Sequence, residues 1–185
     1  MNAIIYHWEK PEPFFIEFGE TYLHGDLLPN EAVKLPEILF MHGAQGPGRR
    51  EFLLLRQILW ELFSISSCAF DFIGYGTTGG KLTPLTSQER ALQARDIINA
   101  CFDLQAFSIV TADINIEMVL FLAESFQLRY LLLLNPANAE LLTAELPCKI
   151  VEIPVTPEHN LSSVNQKPAI LAKVAGFINA TLRQQ

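Results

Sequence analysis

Hydrophobic residues fall into short runs along this chain, and the period with which they recur alternates between that of a strand and that of a helix. The first two strand candidates, 14–18 and 21–27, are joined by Gly19-Glu20, and a two-residue connection that contains glycine predicts an antiparallel hairpin. Two later runs, 38–41 and 131–134, are wholly apolar, as expected of strands buried on both faces of a sheet. The later strands are predicted at 38–41, 68–72, 107–110, 129–135 and 148–154.

Between these strands, apolar residues recur at helical spacing. A helix is predicted over 49–63, and a second begins at Thr86, whose hydroxyl can cap it and which is followed by Glu89 in the first turn. Further helices are predicted from Ile116, within 139–145 and over 169–182. The alternation predicts an α/β fold, with a mainly parallel sheet, helices on both faces and right-handed crossovers.

The length and composition fit one compact domain over residues 1–185. Half of the 185 residues are hydrophobic and 18% are charged, which is typical of a globular chain with a well-buried core. The net charge is −7, and no cluster of basic residues exceeds the pair Arg49-Arg50. We therefore expect neither a nucleic-acid partner nor a membrane partner.

The sequence also indicates a cytoplasmic protein without a cofactor. Its start has no basic region followed by an apolar segment and a cleavage site, and no apolar run reaches membrane-spanning length. The three cysteines stand in apolar surroundings without metal-site spacing, which is typical of reduced thiols. The glycine-rich segment 74–80 lacks the Lys-Ser/Thr ending of a phosphate-binding loop, so we expect no nucleotide there.

The strand–turn–helix stretch 107–126 is the most informative part of the chain. In α/β proteins ligands bind at the carboxyl ends of the strands, and Asp113 stands on the turn that follows such an end. Asp113 could contribute a reactive carboxylate. It could equally be a helix N-cap, because a carboxylate there accepts hydrogen bonds from free N–H groups and is favoured by the helix dipole.

Four motifs in chain order resemble those of the α/β-hydrolase family, over the chain from about Phe14 to its end. Segment 39–43, ending in His42-Gly43, resembles the strand and oxyanion loop. Segment 70–80 resembles an Asp-x-x-Gly-x-Gly-x-Ser loop with Thr78 in place of the serine, 109–123 resembles the strand, nucleophile elbow and helix, and His159 falls in a segment similar to the catalytic histidine loop. The resemblance implies an oxyanion and binding region formed by His42, Gly43, Ala44 and Ile114.

The chemistry departs from the family pattern. Where the family has Gly-x-Ser-x-Gly, this chain has Thr111-Ala112-Asp113-Ile114-Asn115, so it lacks both the hydroxyl of a serine esterase and the glycines of the tight turn. The interval between the strands at 129–135 and 148–154 is too short for another strand and helix. The sheet is therefore predicted to be one βα unit short, without a cap domain, and any triad acid would come from Glu140, or more weakly from Asn135 or Asn138.

Two functions remain open from the sequence. One is a catalytically degenerate α/β-hydrolase-like protein that binds a small molecule or a protein partner in the crevice. The alternative is a hydrolase of ester, epoxide or carbon–halogen bonds, with Asp113 as nucleophile and His159 as base, as in the branch that resembles epoxide hydrolases and haloalkane dehalogenases. A homodimer through the exposed end of the sheet is a further expectation.

Overall fold

The computed structural model describes residues 10–30, 35–43, 47–80, 84–103, 106–111, 116–134, 148–153 and 168–184. Within these ranges the strands are β1 Glu12–Phe18, β2 Thr21–Leu28, β3 Ile38–Met41, β4 Ser67–Phe70, β5 Phe107–Thr111, β6 Leu128–Leu134 and β7 Lys149–Ile153. The helices are α1 Leu53–Phe63, α2 Ser87–Cys101, α3 Ile116–Ser125 and α4 Pro168–Leu182, and a 3-10 turn, Gly48–Phe52, leads into α1.

All of these strands form one sheet in the order β1-β2-β4-β3-β5-β6-β7. Strands β1 and β2 are antiparallel to each other, β2 is antiparallel to β4, and the remaining neighbours are parallel. The sequence prediction of a mainly parallel sheet with an N-terminal hairpin is confirmed. Strands β6 and β7 are direct neighbours, with Tyr130 opposite Lys149 and Leu134 opposite Ile153, so the sheet has no strand between them.

The helices cover both faces of the sheet, because the central strands are apolar on both sides. Leu39 and Met41 of β3 pack into a core with α2 and α3. Ile38 and Phe40 point the other way, into a second core with α1 and α4. All four side chains of β3 are fully buried, which is why this strand has no polar alternation.

Helix α2 begins with the capping box that its sequence predicts. The Thr86 hydroxyl accepts a hydrogen bond from the Glu89 backbone N–H, and the Glu89 carboxylate accepts one from the Thr86 N–H at 2.8 Å. The bond from the Thr86 N–H, together with one from the Thr86 hydroxyl to the same carboxylate, lowers the pKa of Glu89 from its usual value. The Ser87 hydroxyl then donates to the Glu117 carboxylate at 2.8 Å, which fixes the first turn of α2 beside the first turn of α3.

Three predicted boundaries differ from the structure by two residues or more, and the first of these is the start of β1, at Glu12 instead of residue 14. The single helix predicted over 49–63 begins instead as the 3-10 turn Gly48–Phe52, which has no side-chain cap at its start. Such 3-10 turns are frequent at the ends of α-helices. The strand predicted to reach residue 72 ends at Phe70. Beyond it, the N–H of Phe72 donates a hydrogen bond to the His42 ring and not to a neighbouring strand. The short helix predicted at 139–145 lies outside the described residues.

Cys68, Cys101 and Cys148 are free thiols, and burial raises the pKa of Cys68 well above its ordinary value. None of the helices in the described ranges has the length and apolar character needed to cross a membrane.

Candidate functional site

The carboxyl ends of the parallel strands define the candidate site. Strands β3, β4 and β5 run in the same direction side by side, so their ends at Met41, Phe70 and Thr111 lie along one edge of the sheet. Ligands of open α/β sheets bind outside this edge. The described part of the site consists of His42-Gly43 after β3 and the loop 71–80 after β4.

The buried carboxylate of Asp71 joins the loop after β4 to the 3-10 turn that leads into α1. It is 1% exposed and accepts hydrogen bonds from the backbone N–H of Arg49 at 2.6 Å and of Thr77 at 2.9 Å. The Arg49 guanidinium also donates to it. A buried charge is tolerated only when it is paired and hydrogen-bonded, and here both conditions are met by residues from different loops.

A second carboxylate, that of Asp26, extends this network to strand β2 and helix α1. Asp26 on β2 accepts a hydrogen bond from Arg49 Nε at 2.7 Å and is ion-paired with Arg56 on α1. Arg56 is 1% exposed, and its Nε donates to the Ser67 hydroxyl at 3.0 Å. The network therefore connects β2, α1, β4, the 3-10 turn before α1 and the loop after β4.

Sequence reasoning missed the roles of Asp26, Arg49 and Arg56. A signal was present, because Arg56 directly follows Leu55 of the buried stripe of α1, and Asp26 lies within a predicted strand. Both positions require a charged side chain to be at least partly buried. Such charges normally need a partner of opposite sign.

Thr78 fulfils a structural role at the position where the family pattern has serine. Its hydroxyl donates to the carbonyl of Asp71 at 2.7 Å and accepts from the backbone N–H of His24 at 2.9 Å. These bonds use the single proton of the hydroxyl and one of its two acceptor lone pairs. Thr78 therefore ties the loop after β4 to the neighbouring strand β2.

His42 uses both of its ring nitrogens inside the protein. Nε2 accepts a hydrogen bond from the backbone N–H of Phe72 at 3.1 Å. Nδ1 lies 2.8 Å from the Gly43 carbonyl oxygen, and because a carbonyl can only accept, the proton is assigned to Nδ1. Burial lowers the pKa of His42, although the Gly43 carbonyl and the Asp71 carboxylate oppose that effect. The neutral ring therefore serves to position the loops.

Aromatic rings and residues of α2 make further contacts with His42 and with the loop after β4. The His42 ring centroid lies 5.0 Å from that of Phe72 and 4.9 Å from that of Tyr75. The Arg90 guanidinium of α2 stacks over Phe72, with Cζ 5.3 Å from the ring centroid. The Gln93 side chain accepts a hydrogen bond from the N–H of Ile73 at 2.9 Å. The loop after β4 is thus held in place from the α2 side as well.

The structure brings His42 and Gly43 together with the loop after β4, but the other predicted site residues lie outside its described ranges. These are Ala44, Asp113, Ile114, Glu140 and His159. Asp113 and Ile114 belong to the connection between the end of β5 and the start of α3. In the parts of the chain that are described, no three His, Cys, Asp or Glu side chains come together as a set of metal ligands.

Comparison with solved structures identifies the architecture. The chain is similar to the thioesterase domain from the curacin biosynthetic pathway (TM-score 0.56, 17% identity), covering 67% of this chain and 44% of that one. It is similar to an Aspergillus niger epoxide hydrolase (TM-score 0.53, 19% identity, 65% and 33% covered) and to a serine hydrolase from the bacterium Cycloclasticus zankles (TM-score 0.52, 20% identity, 67% and 45% covered).

The similarity to these proteins lies in the fold. No protein-family model matches the sequence, and no curated protein matches it either. The chain spans less than half the length of each of these three structures. With its sheet order, its antiparallel N-terminal hairpin and its helices on both faces, this chain has the α/β-hydrolase fold in a shortened form.

Proposed function

We propose that this protein is a catalytically degenerate α/β-hydrolase-fold protein that binds a small molecule or a protein partner at the carboxyl edge of its sheet. One observation carries the proposal. Strand β5 ends at Thr111 and α3 begins at Ile116, so residue 113 belongs to the strand-to-helix connection where the fold places its nucleophile. That residue is a carboxylate, not a serine, and Thr111 and Asn115 replace the glycines of the elbow.

The described part of the edge supports the same proposal. The ring nitrogens of His42 are engaged by Phe72 and Gly43, and the carboxylate of Asp71 is engaged by Arg49 and Thr77. These polar groups hold loops in position, and none of them offers a free base or nucleophile. What they provide is a rigid frame, which is useful for binding because little ordering is needed when a ligand arrives.

The alternative is a hydrolase in which Asp113 attacks carbon and His159 activates the water that cleaves the resulting ester. In that reading the oxyanion of the second step would be stabilised by the N–H groups of Ala44 and Ile114. Three of the similar structures are described as epoxide hydrolases. Their low identity relates this chain to them by fold alone.

The experiment compares turnover in wild type and Asp113→Ala. Short p-nitrophenyl esters, styrene oxide and 1,2-dibromoethane are assayed with both proteins, and His159→Gln serves as a second variant. We expect wild type and both variants to match the buffer rate. Turnover that is present in wild type and lost in Asp113→Ala would overturn the proposal in favour of the hydrolase.

A binding measurement tests the positive half of the proposal. Backbone amide NMR spectra are recorded while small alcohols, carboxylic acids and intact esters are added. We expect at least one compound to shift the signals of Gly43, Ile73 and Tyr75 at the carboxyl edge, and not that of Lys173 on α4. If no compound shifts the edge signals and no protein cross-links to a photoreactive group at position 75, the binding role is wrong.

A further inference from the structure

A cavity lies at the opposite edge of the sheet from the candidate site. Its volume is about 210 Å³, and it is lined by Glu37, Ile65, Ser108, Arg129, Leu182 and Arg183. None of these residues belongs to the loops around His42 and Asp71. The cavity therefore does not form part of the site described above.

The topology explains why these residues meet. Strands β4, β3, β5 and β6 are consecutive neighbours and parallel, so their starting ends form one edge. Ile65 precedes β4, and Glu37 precedes β3. Ser108 and Arg129 are the second residues of β5 and β6. The other two lining residues, Leu182 and Arg183, lie at the end of α4.

Backbone and side-chain hydrogen bonds fix this edge. The N–H of Ser108 donates to the Glu37 carbonyl at 3.0 Å, and the N–H of Glu37 donates to the Ser66 carbonyl at 3.1 Å. The Tyr130 hydroxyl donates to the carbonyl of Gln184 at 2.9 Å, which anchors the chain just beyond α4 on β6. The cavity is thus bordered by elements that are fixed to one another.

Ser108 supplies the first indication of a ligand. The residue is 1% exposed, and its Oγ has no hydrogen-bond partner among the described residues. Buried hydroxyls nearly always have a partner, because an unpaired one loses its hydrogen bonds to water without replacement. A polar molecule in the cavity would provide the partner that Ser108 lacks.

The charges around the cavity indicate what kind of molecule this is. Arg129 and Arg183 bring two guanidinium groups and Glu37 brings one carboxylate. No ion pair joins these three residues to one another or to any other residue that the structure describes. Guanidinium groups bind carboxylates and phosphates through paired N–H donors, whereas Glu37 can accept a hydrogen bond from an ammonium or hydroxyl group.

We propose that this amino-edge cavity binds a small organic acid that also carries a hydrogen-bond donor, such as an amino acid or a hydroxy acid. The acidic group pairs with Arg129 and Arg183, and the amino or hydroxyl group donates to Glu37. Ser108 bonds the ligand from the floor of the cavity. The volume of 210 Å³ corresponds to roughly seven water molecules at about 30 Å³ each, so it suits a ligand smaller than a drug-sized molecule.

The test follows backbone amide signals of the full chain by NMR while single compounds are added. L-serine and L-lactate contain both required groups, acetate contains only the acid, and propane-1,2-diol contains only hydroxyls. We expect L-serine or L-lactate to shift the signals of Glu37, Ser108 and Arg129 with saturation, acetate to bind at least about tenfold more weakly, and the diol not to bind. Shifts confined to the carboxyl edge, or none at all, would overturn this proposal.

Variants assign the effect to the cavity. Ser108→Val fills the floor without removing an existing hydrogen bond to its hydroxyl and is expected to abolish binding. Arg129→Gln, at an exposed position where folding is not at risk, should weaken binding about tenfold. Arg95→Gln on α2 is the matched control, since its guanidinium pairs with Asp96 outside the cavity, and it should bind like wild type. Equal affinity in wild type and Arg129→Gln would contradict the assignment.

Discussion

Gly76 lies so close to the carboxylate of Asp71 that a Cβ on the glycine would stand 2.2 Å from Asp71 Oδ2. Gly48 approaches the other oxygen, with a Cβ placed 2.3 Å from Oδ1. Both glycines have positive φ angles, +50° and +77°. They are needed so that the N–H groups of the next residues, Thr77 and Arg49, can reach the buried carboxylate.

The first prediction concerns this close approach. Gly76→Ala should destabilise the protein by about 3 kcal/mol, because it adds overpacking against Asp71 to the cost of a left-handed alanine. Gly79→Ala is the matched control, since Gly79 also has positive φ, +71°, but has nothing within 4 Å of an added Cβ. It should cost only about 1 kcal/mol. Urea unfolding measures both, and equal losses would contradict the role of Asp71.

The second prediction concerns the carboxylate between two arginines. Asp26→Ala leaves Arg56, which is 1% exposed, without its charged partner, and should reduce the free energy of unfolding by about 3 kcal/mol. Asp96→Ala removes the acid from the more exposed Arg95 pair and should cost less than about 1 kcal/mol. If thermal or urea unfolding gives similar values for both variants, the Asp26 network does not stabilise the fold.

The third prediction is a pH dependence that arises from His42. Its pKa is lowered in the folded protein by burial, so below about pH 6.5 the unfolded chain binds more protons than the native state. The stability that the neutral ring provides is therefore present above that pH and is lost as the pH falls. The slope from one such group is at most about 1.4 kcal/mol per pH unit.

Urea unfolding of wild type and His42→Gln at a series of pH values tests this dependence. The variant should show a flatter curve below about pH 6.5, because it lacks the group that takes up the proton on unfolding. A direct control is the NMR titration of the His42 ring in the folded protein. A midpoint above the ordinary histidine value would show that the argument is wrong.

The fourth prediction concerns the elbow position. Asp113→Ser places a hydroxyl where the family resemblance predicts the nucleophile, yet we expect no esterase activity towards p-nitrophenyl acetate and no labelling by a fluorophosphonate. A serine becomes nucleophilic only when a base and an orienting group are within reach, and Thr111 and Asn115 still occupy the glycine positions. Activity in Asp113→Ser that disappears when His159→Gln is added would show that the catalytic machinery is intact.

Much of the fold could be predicted because its signals are local. The apolar run of β3, the glycine-containing turn of the hairpin and the Thr86–Glu89 capping box each depend on a few consecutive residues. The order of the four motifs then predicted the α/β-hydrolase arrangement. Asp113 and His159 remain predictions from the sequence, since both lie outside the described residues.

The contacts that organise the two edges of the sheet could not be predicted in this way. Asp71 and Arg49 are 22 residues apart, and Asp26 and Arg56 are 30 apart. At the amino edge, Ser108 looks like an ordinary strand residue until Glu37 and Arg129 are placed beside it by the strand order. Sequence patterns report which face of an element is apolar, whereas these contacts depend on which elements become neighbours.

The sequence by itself therefore determined most of the elements and the class of fold, because hydrophobic period and turn chemistry act within a few residues. Only the tertiary structure decided that His42 is a neutral loop-positioning residue, that Asp71 holds two glycine-dependent loops, and that a charged cavity opens at the opposite edge. Those properties depend on burial and on distances between segments remote in the chain. Both are set only when the helices pack on the two faces of the sheet.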